Sequence, residues 1–131
     1  MSRDWRDRRA LIVIQAMLEL VRYDVLNRVF GFRRVYHDVV HAHPRVKGGG
    51  APSELILNAM SCAESFYWKP ARCLQRSVAS VRLLRRHGVD AKVVIGFRAA
   101  PFASHAWVEI GGRIANDSPT YQRQFAVLDR F

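Results

Sequence analysis

Apolar residues recur at helical spacing through the first two-thirds of the chain, then change near residue 90 to the two-residue rhythm of strands. Leu11, Ile14, Leu18, Val21, Val25 and Val29, at helical spacing, predict a long helix over residues 8–30. Residues 41–52 carry two prolines and the Gly48-Gly49-Gly50 run, which predicts a loop or hinge. A second helix is expected from Ser53, with Ile56, Met60, Ala63 and Tyr67 on one stripe. Glu54 lies in its first turn, where the helix dipole favours an acid. Pro70 suits a first helical position and predicts a third helix from there to about His87, burying Leu74, Val78, Val81 and Leu84. Gly88 then supplies a residue able to take the left-handed cap.

Beyond Gly88, Ala91 to Phe97 is rich in β-branched residues. His105 to Ile110 alternates, and Gly111-Gly112 separates it from Arg113 to Asp117. The C-terminal stretch, with Tyr121, Phe125, Val127 and Leu128, is apolar enough to pack back on the core. Helices first and strands later predict an α+β fold with helices on one face of a small antiparallel sheet.

A chain of 131 residues fits one domain, residues 1–131, with a helical N-terminal region (1–65) ahead of the part that carries the third helix and the strands (66–131). Half its residues are hydrophobic, well clear of the disordered regime. Cys62 and Cys73 make no disulfide framework and fit a reducing compartment. The apolar run Ala10 to Ile14 comes after a basic start, but Gln15, Glu19, Arg22 and Asp24 break the apolar character beyond it, and no small-residue cleavage site appears. No run approaches the ~20 apolar residues that span a bilayer. The expectation is a cytoplasmic protein without a membrane partner.

The formal charge of +10 is nearly all arginine, Lys47, Lys69 and Lys92 being the lysines. Nucleic-acid binders concentrate charge with interleaved aromatics. Here Arg3, Arg6, Arg33, Arg34, Arg82 and Arg85 are spread over several elements, which disfavours nucleic acid and leaves an acidic peptide or protein surface, or a genome whose base composition favours arginine codons, as the competing explanations.

Candidate chemistry centres on Cys73, expected in the first turn of the third helix. Unpaired N–H groups and the helix dipole favour an anion there, hence a thiolate, and Arg72 and Arg76 add positive charge. The same N–H groups could hold an oxyanion. A lone intracellular cysteine is ordinarily a small buried hydrophobe, and Cys62 keeps that reading. A nucleophilic thiol needs a base and the base an orienting acceptor. His105 opens an alternating strand on which Trp107 and Glu109 share its face, and Asp117 ends the next strand. A three-residue loop, Ile110-Gly111-Gly112, would set Glu109 across from Arg113 and His105 across from Asp117. A two-residue loop would put Asp117 on the opposite face. The expectation is the odd loop, with Gly112 in the left-handed conformation. Asp117 could otherwise be a turn residue before Ser118-Pro119.

These residues carry a resemblance. Cys73-Leu74-Gln75-Arg76-Ser77-Val78-Ala79-Ser80, Leu83-Leu84-Arg85-Arg86-His87-Gly88-Val89, Val94-Ile95-Gly96-Phe97, Pro101 through Glu109 and Asn116-Asp117 are similar to the transglutaminase-like leader peptidases of lasso-peptide biosynthesis. The likeness covers roughly residues 66–131. It implies a transglutaminase-like, papain-like core with Cys73 as nucleophile, His105 as general base and Asp117 as orienter, and no cofactor or metal. It also implies a precursor peptide as substrate, a separate leader-recognition protein and an asparagine-synthetase-like cyclase. The first 65 residues read as helices, not as the strand-rich recognition domain of fused members, so the resemblance implies the split form. Trp68 could offer its indole N–H to an oxyanion, although core packing is the commoner role of a large aromatic.

Rival readings stand beside it. His37-Asp38-Val39-Val40-His41 and His43 have the spacing with which a helical zinc site begins, but Pro44 and the triple glycine leave little helix to support it, and aspartate is short for the base. A polar loop-facing cluster is the plainer reading of these histidines. His87 at a helix C-terminus needs no function. A cysteine triad serves thiol acyl transfer or amidase chemistry as well as hydrolysis. A basic, non-enzymatic binding module would leave Cys73 inert.

Overall fold

Twenty-nine residues run as one helix, α1 (Ser2–Phe30), before Gly31 turns the chain at φ 82° and α2 (Phe32–His41) begins. The structure, a computed structural model, describes residues 2–44, 51–115 and 125–131, and the side chains of α1 from Arg6 onward. Helices α3 (Ser53–Phe66) and α4 (Cys73–Arg86) come next. Among the described residues four antiparallel strands follow: β1 (Ala91–Ala99), β2 (Phe102–Ile110), β3 (Arg113–Ile114) and β4 (Ala126–Arg130), in the sheet order β3-β2-β1-β4. The α+β expectation holds.

The hydrophobic pattern gives no helix for residues 31–40. α2 forms there because Val35 and Val39, four apart, both drop into the core. The regularly spaced stripe of α1 is not the face that the helix buries. Leu11, Ile14, Leu18, Val21, Val25 and Val29 are all exposed, while Ile12, Ala16 and Leu20 are buried. α1 is apolar on both sides, so two stripes compete for the core. The winning one contains the small Ala16, which permits close approach. It also contains Glu19, whose carboxylate takes Arg82 Nε at 2.8 Å and Arg86 Nη2 at 2.9 Å from α4. α3 buries the predicted Ile56, Met60 and Ala63.

α4 is the central helix, packed against α1, α3 and both long strands. Val78, Val81 and Leu84 are buried as predicted, and so are Ser77, Ser80 and Leu83 on other sides of the helix. It starts at Cys73 and not at Pro70; Arg72 is its N-cap, and residues 67–72 form an irregular approach that bends at 67–69. Its C-terminus is a Schellman turn around Gly88, at φ 85°: Val89 N–H donates to Leu84 O at 2.9 Å and Gly88 N–H to Arg85 O at 3.0 Å.

The sheet has two faces with different partners. Val93, Ile95, Val108 and Ile110 face the helices, whereas Val94, Trp107 and Phe125 form a second cluster on the far side. Gly96 is required there: a Cβ on it would meet the Trp107 ring at 2.8 Å. Phe125 packs as expected, but Val127 and Leu128 are exposed, because β4 is an edge strand; Tyr121 lies outside the described residues.

Candidate active site

Arg72, the N-cap of α4, is extended (φ −75°, ψ 162°) and no side chain caps the helix. The first turn closes through Arg76 N–H to Arg72 O at 2.9 Å. The N–H groups ahead of Arg76 therefore have no intrahelical acceptor, and Cys73, the first helical residue, sits among them half-buried. Its thiol is on the wall of a cavity of about 770 Å³, which α1 lines with Tyr23, Asp24 and Asn27 and β2 with Ser104.

The approach to Cys73 is fastened to α1 by one carboxylate. Asp24 accepts the Tyr67 hydroxyl and, at 2.6 Å, the Lys69 ammonium, while Gln75 Nε2 donates to Leu20 O at 3.1 Å. Burial alone would raise the Asp24 carboxyl, but the hydrogen bonds from Lys69, Tyr67 and Gln75 outweigh it and hold the group below the ordinary value. Burial raises the Tyr23 phenol, and the negative charge of Asp24 and of a Cys73 thiolate adds to that, so Tyr23 faces the cavity as a neutral hydroxyl. Behind the helix start Arg76 lies 3.8 Å from Glu64, and burial lifts the Glu64 carboxyl against the pull of that arginine.

Of the predicted residues beyond Cys73, His105 is half-buried on β2 opposite Gly96, with its ring 5.9 Å from Trp107 and 5.5 Å from Phe125. That is the far face of the sheet. It is the adjacent Ser104, on the helix-facing side, that lines the Cys73 cavity. The structure thus brings the beginning of β2, through Ser104, to the Cys73 cavity. Asp117 lies outside the described residues.

The hairpin expectation is corrected. Ile110 pairs with Arg113 and Glu109 with Ile114, a two-residue loop. Both glycines take positive φ, 58° and 78°, which is the turn geometry that matches strand twist, where the odd loop would use one. By parity this register counts against a triad in which Asp117 faces His105 across the strands. β3 pairs with β2 only as far as Ile114, with Ala115 N–H still reaching Val108 O at 2.8 Å.

Trp68 is 74% exposed, with the Lys69 ammonium 5.2 Å above its ring. It is neither core packing nor, among the described residues, part of the cavity wall. Cys62 is half-buried in α3, away from any helix start. His37 and His41 stack on α2 at 4.0 Å, and His41 Nδ1 lies 2.8 Å from the His37 carbonyl. Among the described residues no three His, Cys, Asp or Glu side chains converge as a metal site would require. His87 bridges Ala51 N–H, at 3.3 Å, and the Gln15 side-chain carbonyl, at 3.0 Å. Sequence reasoning missed Tyr23, Asp24 and Asn27. They lie about fifty residues before Cys73, and nothing in local spacing connects them to it.

No helix among the described residues is long and apolar enough to cross a membrane. The chain is similar to the microcin J25-processing protein McjB of Escherichia coli, 45% identical over 56 residues. That match takes in 43% of this chain and 27% of the relative, so the chain spans about a quarter of the relative's length. No solved structure matches it at a significant level. Residues 17–130 match the transglutaminase-like superfamily, reaching back across α1 to α3 as well as the Cys73 helix and the sheet. The chain belongs to the transglutaminase-like superfamily.

Proposed function

We propose that the chain is a cysteine peptidase that removes the leader from a ribosomally made lasso-peptide precursor. The observation that carries this reading is the place of Cys73, at an uncapped helix start on the wall of a cavity of about 770 Å³. Membership of the superfamily and the likeness to a microcin-processing protein support it.

In this reading His105 takes the Cys73 thiol proton, and Asp117 fixes the imidazole tautomer. The thiolate attacks the carbonyl at the leader–core junction, forming the C–S bond while the carbonyl electrons move to oxygen. The free N–H groups of the α4 start meet that oxyanion. The C–N bond then breaks, with the proton passing from His105 to the leaving amine. Water adds to the thioester, giving a proton back to His105, and loss of the carboxylic acid restores the thiol. Assigning His105 and Asp117 rests on their order and motif in the sequence. A separate leader-recognition protein and an ATP-using cyclase are the partners the reading calls for, in the cytoplasm.

Labelling with limiting iodoacetamide across pH 5 to 9 tests it without a known substrate, with Cys62 as internal control. Rapid labelling of Cys73 at pH values where a free thiol (~8.5) is largely protonated is expected, and His105→Ala should slow it at least about tenfold. Cys73 reacting no faster than Cys62 would sink the peptidase reading.

A further inference from the structure

Six aliphatic side chains stand on the outer face of α1: Leu11, Ile14, Leu18, Val21, Val25 and Val29. Their exposure runs from 41% at Val21 to 65% at Val29. The helix buries its opposite side, through Ile12, Ala16 and Leu20, against α3 and α4. The stripe is therefore a second apolar face, not the rim of the core. From Leu11 to Val25 its spacing is three, four, three, four, the rhythm with which a helix seats another helix along a narrow seam. At 1.5 Å per residue the face is about 27 Å long. A contiguous apolar strip of that length on a folded domain marks an interaction site.

The charges around it select the partner. Glu19 is buried and taken up by Arg82 and Arg86, and Asp24 by Tyr67 and Lys69. From Arg6 to Phe30 the one exposed acid is Asp7, beyond the N-terminal end of the stripe. By helical rotation Arg22 borders the stripe on one side and Arg28 on the other. Both are exposed, and Arg22 leans on Asp38 while still presenting 45% of its side chain. A second copy would bring the same cationic borders and another +10 of charge. An anionic membrane would satisfy the charge, but interfacial helices anchor with bulky aromatic and leucine side chains, and half of this stripe is valine.

We propose that the outer face of α1 docks an acidic helical segment of a separate protein, its aliphatic ridge filling the stripe and its carboxylates meeting Arg22 and Arg28. The docking holds whether or not Cys73 cuts a peptide.

The test titrates the intact protein against a labelled three-heptad peptide with leucine at the a and d positions and glutamate at e and g, and against its lysine counterpart, by fluorescence anisotropy. The glutamate peptide should bind at least about tenfold tighter than the lysine one, and several-fold weaker at about 300 mM salt than at about 50 mM. Leu18→Glu with Val25→Glu should abolish binding, and Val40→Glu, on an exposed position of α2, should not. Circular dichroism and the Cys73 labelling rate check that the variants are folded. Equal binding of both peptides, or binding indifferent to the stripe variant, overturns the proposal. So does a dimer in sedimentation that Leu18→Glu dissolves, which would make the occupant a second copy. Binding to anionic lipid vesicles that Leu18→Glu removes would overturn it in favour of a membrane.

Discussion

α1 and α4 carry apolar stripes that look alike on paper, and the fold treats them in opposite ways. On α4, Val78, Val81 and Leu84 are enclosed by helices on one side and the sheet on the other. On α1, Leu11, Ile14, Leu18, Val21 and Val25 also recur at helical spacing and face outward. Periodicity reports that a helix has an apolar face; it does not report whether another element of the same chain covers it. What decides the matter is the competing face. α4 is flanked on three sides, so almost any stripe it carries is buried. α1 is a peripheral helix and buries the side on which Ala16 allows close approach and Glu19 answers two arginines.

The largest test of that contrast is Leu84→Ala. Truncating a fully buried leucine loses its transfer energy and leaves a cavity, at a cost of about 3 kcal/mol. Chemical denaturation should show the midpoint shift with little change in slope. A loss below about 1 kcal/mol would mean that α4 is less enclosed than the structure has it.

The same contrast explains what was legible in the sequence. The α+β class, the stripes of α3 and α4, the Gly88 stop and Cys73 at a helix start all arise from spacing and from residues whose backbone preferences are strong. Each depends on neighbours within about four positions. What was missed depends on residues far apart. The outward stripe of α1 is set by Arg82 and Arg86 of α4, and the cavity wall of Tyr23, Asp24 and Asn27 meets Cys73 only after α1 docks. The hairpin parity failed for a local reason: either glycine can take positive φ, and here both do.

A smaller effect is expected at the polar anchor between α1 and the segment that leads into α4. The Asp24 carboxyl is held below its ordinary value, so it is ionised in the fold at neutral pH and accepts from Lys69 and Tyr67. A carboxyl lowered on folding contributes stability that is fully present above its unfolded value, about 3.9, and is lost as pH falls through the folded one. Asp24→Asn should cost about 1.5 kcal/mol at pH 7. The gap from the unsubstituted protein should begin to close as pH drops below about 4, and vanish only once pH has fallen through the lower folded value and the native carboxyl is protonated too. Unfolding curves at pH 7, 5 and 3 read this directly. A gap that stays constant with pH would mean that Asp24 acts through packing alone.

The smallest effect is expected on the outer stripe itself, and there the contrast with α4 is sharpest. Leu18 is 60% exposed, so its removal leaves no cavity and loses little burial. Leu18→Ala should move the stability of the isolated protein by no more than about 0.5 kcal/mol, partly because alanine is the better helix former. The two leucines would then differ about sixfold in cost although both sit on helical stripes of comparable spacing. A loss at Leu18 approaching that at Leu84 would show that the stripe is covered within the isolated chain. The face would then be core, and α1 would have no surface to offer a partner.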